Sequence, residues 1–382
     1  MNALVTDWPP AMASGDLPPA FRQGAVRALF LGSEVLGWQV SNRQWIAATA
    51  DRDDILAVHV LLRPPLWMKI LNRRVPGVRP HLIHHNVTWK WLLKRWLTGR
   101  LDARRFDVIH CNPQVMAFAA ATLKSRYRYK LSMSCDTTDL QYRQEVCGNP
   151  SARSVGPDRK VFQSADLILP LSTWCANSLT TDYGIPPEKL LLTRPSAPVP
   201  AEVPPKRPRD GRLLRIAFVG NDFVRKGGEK LLKWHQERWA DRVELHVASA
   251  EAADHAPAKN VYFLGRLDHP KVLALLDSAD LLVHPTQADM SALVVAEAQA
   301  RGVPAVASRI AGIPDLLHDG VSGYLVGPKD DAGFIAAVER VLFNEPRHAA
   351  MSTAARQFAL QNLDSATTYR RVVDALVALA SG

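Results

Sequence analysis

The sequence predicts an α/β protein made of two doubly wound halves, and two features lead to that fold class. Short apolar runs rich in β-branched residues alternate with helical stretches along most of the 382 residues. Runs of this length, separated by helices, are typical of strands buried in a parallel sheet. Between the halves lies a proline-rich stretch, residues 195–212, after which the same alternation begins again.

The first half contains five predicted strands. The first is followed by a glycine-containing turn and a helix over residues 37–50. Each of the last three is also followed by a helical pattern. The predicted strands are residues 26–31, 55–61, 107–110, 130–134 and 166–170.

The second half begins after the linker. Six prolines and four basic residues without apolar periodicity mark residues 195–212 as a domain boundary. A helix is predicted over residues 228–239, and residues 330–381 are nearly all helical in pattern. The predicted strands are residues 213–219, 243–248, 261–264, 280–284 and 305–308.

These elements predict the domain organisation. We expect an N-terminal domain of residues 1–197, a linker of residues 198–212 and a C-terminal domain of residues 213–364. The last segment, residues 365–382, is a helix that could cross back to the N-terminal domain. Two doubly wound domains on one linker predict a ligand cleft between the carboxyl ends of two facing sheets.

The cysteines and the N-terminus predict the compartment. The four cysteines have neither zinc-site nor redox-motif spacing and are too few for a disulfide framework. Residues 1–19 lack the cationic start and apolar run of a signal peptide. No stretch approaches the roughly 18 apolar residues of a membrane span. We therefore expect a cytoplasmic protein that could meet the inner membrane only from its cytoplasmic surface.

The net charge of +10 is concentrated in one segment. Residues 63–105 contain 11 basic residues and one acidic residue, together with four of the ten tryptophans. The stretch from residue 206 to the end is nearly neutral, with 22 basic and 21 acidic residues. Such a local excess suggests an anionic partner, either a membrane surface or a nucleic acid.

Within this segment, residues 88–100 have the pattern of an amphipathic helix. The apolar face consists of Trp89, Leu92, Leu93, Trp96 and Leu97. The basic residues Lys90, Lys94 and Arg95 lie away from it. This composition is typical of a helix in a membrane interface, and it predicts contact with an anionic membrane through Trp89, Lys90, Lys94, Arg95 and Trp96.

Two alternatives to membrane contact stay open for residues 88–100. One is an ordinary surface helix whose apolar face lies in the domain core. The other is nucleic-acid binding, which we do not predict because no recognised binding motif accompanies the basic segment.

The first candidate site follows the strand at residues 213–219. The chain leaves the strand at Gly220, a short loop carries Arg225 and Lys226, and two glycines open a helix. Cationic side chains and helix amide groups in this arrangement can bind an anion. The alternative is that these basic residues have no ligand, since such residues are common beside helix starts.

The second candidate site follows the strand that ends at His284. A polar loop leads into a helix expected to begin near Ser291, and Asp289 and Glu297 are eight residues apart. Amide groups of residues 290–293 at the helix start suit a phosphate. Glu297 could accept hydrogen bonds from a ribose diol. The alternative is a solvated pair of acidic residues.

Four motifs in the second half keep a fixed order and spacing. They are VG-x4-RKGG at residues 219–228, FLGRL at 263–267, D-x7-E with A-x3-GVP at 289–304, and GIPDLLHDGVSGYLV at 312–326. Together they resemble glycosyltransferase family 4, whose members are retaining transferases that use nucleotide sugars. Residues 106–112 and 164–197 resemble the same family more loosely.

The resemblance implies a GT-B fold, in which two doubly wound Rossmann-like domains face a central cleft. The N-terminal domain would bind the acceptor and the C-terminal domain the nucleotide sugar. Arg225 and Lys226 match the family's diphosphate-binding basic pair, within a loop that begins at Gly220 and Asn221. Asn221 stands where many members have arginine.

The resemblance also assigns roles around the acidic pair. Asp289 and Glu297 match the two positions of the family's E-x7-E motif, with Asp289 one methylene shorter than the usual glutamate. Glu297 would bind the ribose, and Asp289 would contact the sugar. Backbone amides for the phosphate or the sugar would come from Met290, Ser291, Ala292 and Leu293. The nucleobase would lie against Gly265, Arg266 and Leu267.

In the first half, the family comparison implies two further residues. Gly37 is the candidate for the loop near the donor phosphates. Asp136, which follows Cys135 where the family often has His-Asp, would face the cleft. Cys135 is expected to be a bystander, and His110 a structural histidine at a strand end.

The implied reaction is transfer of a hexose from a UDP- or GDP-sugar to a glycan or lipid-linked acceptor, in cell-surface polysaccharide or glycolipid synthesis. Asp289, Lys226 and Asp136 are the candidate catalytic residues. No cofactor or metal is expected, because in this family cationic side chains and a helix dipole take the place of a metal. Two alternatives are a GT-B sugar-nucleotide epimerase and a non-enzymatic protein that binds membrane or nucleic acid.

Overall fold

The computed structural model describes residues 3–7, 24–34, 38–62, 93–98, 105–146, 148–149, 155–156, 158–203, 209, 211–252 and 255–382. The chain forms two compact units. The first unit consists of Met1–Leu171, Cys175–Thr193 and Ala366–Gly382. The second consists of Ser172–Trp174 and Arg194–Ser365.

The described part of the first unit contains a six-stranded parallel sheet. Its strands are β1 (Ala3–Asp7), β2 (Val26–Ser33), β3 (Ile55–Leu62), β4 (Val108–Asn112), β5 (Lys130–Cys135) and β6 (Leu167–Pro170). Their order across the sheet is β1-β3-β2-β4-β5-β6. The winding reverses between β2 and β4, which makes the sheet doubly wound.

Helices follow most of these strands, as parallel connections require. They are α1 (Trp38–Ala50), α2 (93–98), α3 (Ala117–Leu123), α4 (Asp139–Gln141, extended by a π-helical turn over Tyr142–Val146), α5 (Asp158–Ser164) and α6 (Thr173–Thr181). Strand β4 is buried along its whole length, including the polar side chains of His110 and Asn112.

Helix α2 corrects the membrane prediction at one residue. Trp96 is 5% exposed, and Leu93 and Leu97 are fully buried. Lys94 and Arg95 are exposed. Trp96 therefore lies in the protein interior and is not a membrane contact, because burying its ring among apolar neighbours is favoured over leaving it in water. Trp89 and Lys90, which are also predicted membrane contacts, lie outside the described residues.

The second unit holds the second sheet, in which six strands are described and neighbouring strands are parallel. The strands are β7 (Leu214–Val219), β8 (Val243–Ala248), β9 (Val261–Phe263), β10 (Leu281–His284), β11 (Ala305–Ser308) and β12 (Gly323–Val326). Their order is β12-β11-β10-β7-β8-β9. The winding reverses between β7 and β10, so the loops after these two strands leave the sheet side by side.

Five helices of the second unit are described, and three of them begin at a residue whose side chain caps the helix. They are α7 (Gly228–Trp234, extended by a π-helical turn over His235–Trp239), α8 (His269–Ser278), α9 (Leu293–Ala300), α10 (Asp331–Leu342) and α11 (Glu345–Asn362). Asp268, Asp330 and Asn344 each accept a hydrogen bond from a backbone amide in the first turn of α8, α10 and α11. These caps satisfy amides that the helix leaves unpaired.

The last helix, α12 (Ser365–Ser381), belongs to the core of the first unit. The ring of Tyr369 packs edge-on against Trp45 at a centroid distance of 4.9 Å. Its hydroxyl lies 2.8 Å from the Oγ of Ser41. Leu376 is fully buried in the same cluster.

Two histidines are also buried in the first unit. His59 Nε2 lies 2.9 Å from the Oγ1 of Thr49, and His110 Nδ1 lies 3.1 Å from the Oγ of Ser132. The pKa of each is lowered to about 3, by burial in both cases and, for His110, also by the nearby His59. Both imidazoles are therefore neutral at physiological pH.

The doubly wound α/β class predicted from the sequence is confirmed. Strands β1 and β12 were not predicted. Each is a short edge strand of four or five residues, and so short a run carries little periodicity. Among the described residues, no helix is long and apolar enough to cross a membrane.

Candidate active site

The candidate site lies where β7 and β10 end. These strands are neighbours, with Ala217 paired to Leu282. Ligands of doubly wound sheets bind outside the carboxyl ends of the strands, at the point where the winding reverses. Both loops singled out in the sequence begin here.

The loop after β7 is shaped by close packing of its backbone. Phe223 is buried beneath the start of α7, where a Cβ at Gly228 would come within 2.1 Å of its ring. The side chain of Lys226 folds over Gly220, whose added Cβ would lie 3.0 Å from Lys226 Cγ. The Phe223 amide donates to the Glu251 carboxylate at 3.0 Å. Lys226 is thereby directed over the end of the sheet.

The loops after β7 and β10 also contact each other directly. The Gln287 amide donates to the Arg225 carbonyl at 2.9 Å. Gly227 has φ +80°, and an added Cβ would lie 2.1 Å from the Pro285 carbonyl oxygen. A side chain at position 227 would therefore be strained in its backbone and would collide with the neighbouring loop.

Lys226 and Asp289 meet across this contact. The Lys226 Nζ donates to Oδ2 of Asp289 in a short ion pair. The Nε2 of His284, at the end of β10, donates to the same oxygen at 3.0 Å. Within the described part of the chain, no hydrogen bond reaches Oδ1 of Asp289. One carboxylate oxygen is thus held by two donors while the other stays available.

The electrostatics of this group keep Asp289 ionised. Burial raises the pKa of the Asp289 carboxyl, but the charge of Lys226 and the hydrogen bond from His284 lower it by more, so the net shift is downward. Burial lowers the pKa of His284, and the charges of Lys226 and Arg225 lower it as well. Asp289 raises this pKa, but by less, so the net shift is downward. The site therefore combines a neutral imidazole, a carboxylate and an ammonium group.

Arg225 is held by the protein itself. Its Nε donates to Asp222 Oδ2 at 2.7 Å, and its guanidinium also donates to the Ala288 carbonyl. The side chain remains 39% exposed. Arg225 thus lies beside Lys226, and its guanidinium is held in one orientation by these two hydrogen bonds. Part of its hydrogen-bonding capacity is therefore already used. Asn221 is exposed at the start of the same loop.

Helix α9 begins two residues later than expected, at Leu293, and not near Ser291. The Leu293 amide donates to the Ser291 carbonyl at 3.0 Å, and the Met290 carbonyl accepts from the Gly312 amide at 3.2 Å. The loop thus already uses the Leu293 amide, and the prediction that this amide binds a ligand stays a prediction. For Met290, Ser291 and Ala292 the prediction stays a prediction.

Glu297 lies one turn into α9 and is 4% exposed. Its Oε1 is 2.6 Å from the Nε2 of His269, the first residue of α8. No hydrogen bond within the described residues reaches its Oε2. The segment before α8 contains Gly265 with φ +63°, an exposed Arg266 and a half-buried Leu267. His269 therefore connects the carboxylate predicted to bind ribose with the segment predicted to face the nucleobase.

The remaining predicted residues belong to the first unit. Asp136 follows β5 and is half-buried, and its catalytic role stays a prediction. The Cys135 thiol is fully buried, 3.6 Å from the Cys175 sulfur, and burial raises its pKa. A thiol in that state is a poor nucleophile. Gly37 lies outside the described residues.

No group of three or more His, Cys, Asp or Glu side chains that could hold a metal ion occurs in the described ranges. The expectation that the reaction needs no metal or other cofactor stays a prediction.

Comparison with known families identifies the protein class. Residues 203–358 match the family of glycosyl transferases group 1, and residues 35–193 match glycosyltransferase family 4. The two matched ranges together take in most of the chain. The chain belongs to the group 1 glycosyltransferases of family 4. The family and the transferase class predicted from the sequence are confirmed.

Curated relatives of this glycosyltransferase support the same class. A D-inositol 3-phosphate glycosyltransferase from Geodermatophilus obscurus is 30% identical over 256 residues, which is 60% of this chain and 55% of the relative. A glycogen synthase from Mycobacterium tuberculosis is 26% identical over 292 residues, 73% of this chain and 70% of the relative. The match thus spans 55% to 70% of the length of these relatives.

Solved structures confirm the GT-B fold of the glycosyltransferase. Sucrose-phosphate synthase from Thermosynechococcus elongatus has a TM-score of 0.72 at 15% identity, covering 94% of this chain and 99% of that one. Anabaena HepE in complex with UDP and glucose has a TM-score of 0.67 at 16% identity, covering 92% of this chain and 100% of that one.

Two residues of the site were missed by the sequence reasoning. His284 was noted only as the end of a strand, and His269 was not considered. A histidine that ends a buried strand, five residues before an acidic motif position, was the available signal for His284. For His269 the sequence offers no comparable signal, because its partner Glu297 is 28 residues away.

Proposed function

We propose that this protein transfers a hexose from a nucleoside-diphosphate sugar to a glycan or lipid-linked acceptor, with retention of the anomeric configuration. The observation that carries the proposal is the group formed by Lys226, Asp289 and His284 where the winding of the second sheet reverses. It combines a cation for phosphate with an available carboxylate oxygen for a sugar hydroxyl. UDP is the first nucleotide to test, because the HepE structures contain UDP or UDP-glucose.

In the proposed complex, the donor lies along the carboxyl ends of β7 and β10. Lys226 and Arg225 bind the diphosphate, and the available Oε2 of Glu297 accepts from the ribose hydroxyls. The nucleobase lies against residues 265–267. Oδ1 of Asp289 accepts from a sugar hydroxyl. Charge-assisted hydrogen bonds of this kind are roughly twice as strong as hydrogen bonds between neutral groups.

The chemistry follows from where charge develops. As the bond between the anomeric carbon and the β-phosphate oxygen breaks, negative charge grows on the phosphate, and Lys226 and Arg225 stabilise it. The acceptor hydroxyl attacks from the same face, and its proton passes to the departing phosphate oxygen. The new glycosidic bond then has the configuration of the donor. Proton NMR of the product's anomeric signal tests this stereochemistry.

We include an anionic membrane in the proposal because an acceptor linked to lipid is presented there. Lys94 and Arg95 are exposed on α2 within the basic segment of residues 63–105. With Trp96 in the interior, contact would rest on charge. This would place the enzyme on the cytoplasmic face of a membrane that carries the acceptor, in cell-surface polysaccharide or glycolipid synthesis.

The donor site is tested by Lys226→Ala and Glu297→Ala. We expect kcat/KM for the nucleotide sugar to fall about a hundredfold or more in Lys226→Ala, because a developing charge loses its partner. Glu297→Ala should weaken UDP binding, measured as a smaller thermal shift with UDP. Lys230→Ala is the matched control, since Lys230 pairs with Asp331 at the surface and should retain full activity.

Near-normal transfer by folded Lys226→Ala would show that the site is assigned wrongly. A panel of UDP-, GDP- and ADP-sugars identifies the nucleotide by the largest stabilisation. Incubation with each sugar nucleotide but no acceptor separates transfer from epimerisation, because only an epimerase would interconvert the sugars. Failure of every nucleotide to stabilise the wild type would contradict the proposed function.

A further inference from the structure

His284 has a local environment that a packing role does not explain. It is fully buried at the end of β10, and its Nε2 lies 3.0 Å from Oδ2 of Asp289. Among the residues that the structure describes, its Nδ1 is buried and has no hydrogen-bond partner. The carboxylate partner identifies Nε2 as the protonated nitrogen, so Nδ1 is a buried acceptor for which no donor is described. An unsatisfied buried acceptor destabilises the folded state.

Two other buried histidines of the second unit, His348 and His235, do not contact a side chain of the candidate site. The Nε2 of His348 lies 2.7 Å from the Asp280 carbonyl oxygen. His235 uses both nitrogens, with Nε2 2.7 Å from the Val243 carbonyl and Nδ1 2.9 Å from Gln236. Both imidazoles thus form hydrogen bonds with backbone carbonyl groups. His284 alone among the three directs its N–H at a side chain of the candidate site.

The contact matters because Oδ2 of Asp289 is shared. In the structure Lys226 and His284 both donate to it. When a diphosphate binds, its negative charge competes with Asp289 for the Lys226 ammonium group. His284 is then the remaining described donor to Oδ2. Without it, the carboxylate would be free to rotate or to follow the ammonium, and Oδ1 would lose its orientation.

We propose that His284 is a positioning residue, which holds the Asp289 carboxylate in place when Lys226 turns to the donor diphosphate. This inference rests on the proposed donor site. His284 touches neither donor nor acceptor and acts only through Asp289. Because the imidazole is buried and neutral, its single N–H keeps the same partner across the physiological pH range. The shorter side chain of aspartate brings the carboxylate within reach of the strand end.

The test compares six variants in a transfer assay at varied donor concentration, with urea unfolding of each. His284→Leu removes the N–H and the orphaned acceptor together. We expect kcat to fall at least tenfold, KM for the donor to change less than threefold, and the urea midpoint to stay equal or rise. His284→Gln, whose amide can reach Asp289, should recover most of kcat. His284→Asn, whose shorter amide cannot reach Asp289, should be as impaired as His284→Leu. It takes the place of His284→Leu in the test if that variant does not fold.

His348→Leu is the matched control. It makes the same replacement in the same unit, and it should lower the urea midpoint while the folded enzyme keeps its kcat. A double variant, His284→Leu with Asp289→Asn, completes the test. Because His284 acts through Asp289, its kcat should equal that of Asp289→Asn alone.

Three results would overturn the inference while leaving the donor site intact: normal kcat in His284→Leu, no recovery in His284→Gln, or losses that multiply in the double variant. A wild type that transfers from no nucleotide sugar would instead overturn the proposed function, and this inference with it.

Discussion

At the residue scale, the candidate site depends on pairs whose members are far apart in sequence. Lys226 and Asp289 are 63 positions apart, and Glu297 and His269 are 28 apart. The family motifs name three of these four residues. They do not reveal the pairing, because a motif records which residue types recur and not which atoms of distant loops come within hydrogen-bond distance.

A prediction at this scale concerns Gly227. Replacement by alanine places a Cβ at 2.1 Å from the Pro285 carbonyl on a residue with φ +80°. We expect a loss of about 2–3 kcal/mol in the free energy of unfolding, since backbone strain adds to a backbone collision. Because the two loops separate, transfer activity should fall as well. Urea unfolding and the donor assay measure both.

Gly320→Ala is the control for that experiment. Gly320 has φ +76°, but an added Cβ meets nothing within 4 Å. Only the backbone strain of about 1 kcal/mol remains, and activity should be retained. Equal losses in the two variants would mean that the contact between the loops contributes nothing.

At the element scale, the sequence predicted the type of each helix or strand better than its functional role. Strand β8 and helix α7 formed where the β-rich run and the pair of glycines predicted them. Helix α2 shows the limit of such patterns, because a tryptophan-rich face has the same spacing whether it faces lipid or a domain core. Burial of Trp96 settled this for the described part of the segment.

A prediction follows for α2. If charge attracts the protein to a membrane, Lys94→Gln with Arg95→Gln should weaken binding to vesicles rich in anionic lipid by roughly thirtyfold, from about 1 kcal/mol per basic residue. Vesicle flotation measures this. Trp96→Ala should instead lower the stability of the protein. Lys233→Gln with Arg238→Gln removes two exposed charges of the second unit and should leave flotation unchanged.

Absence of flotation by the wild type, with anionic and neutral vesicles alike, would contradict the membrane part of the proposal. It would leave the donor site untouched.

At the scale of the whole molecule, buried neutral histidines make stability depend on pH. The pKa of His59 and of His110 is lowered to about 3, and that of His284 is lowered as well. In the unfolded chain these groups take up protons below about pH 6.5, while in the folded protein they do not. Acidification therefore favours the unfolded state.

We expect the free energy of unfolding to fall between about pH 6.5 and pH 3, by up to about 1.4 kcal/mol per pH unit for each such histidine. Below about pH 3.8 the loss steepens, because the Asp289 carboxyl then takes up a proton in the unfolded chain, whereas its lowered pKa keeps it ionised in the folded protein. Urea midpoints at pH 7.5, 6 and 5 measure the first window. His59→Gln should flatten the slope and the exposed His318→Gln should not; identical slopes in all three proteins would refute this account.

The sequence by itself determined the α/β class, the two doubly wound halves, the family and the identity of most candidate site residues. These depend on local periodicity and on motifs of short span, which a single chain displays in order. Tertiary structure alone decided that His284 and His269 hold the two carboxylates, that the Leu293 amide is already used, and that Trp96 is interior. Each of these depends on which groups become buried or hydrogen-bonded together. That is decided only when segments far apart in the sequence pack against each other.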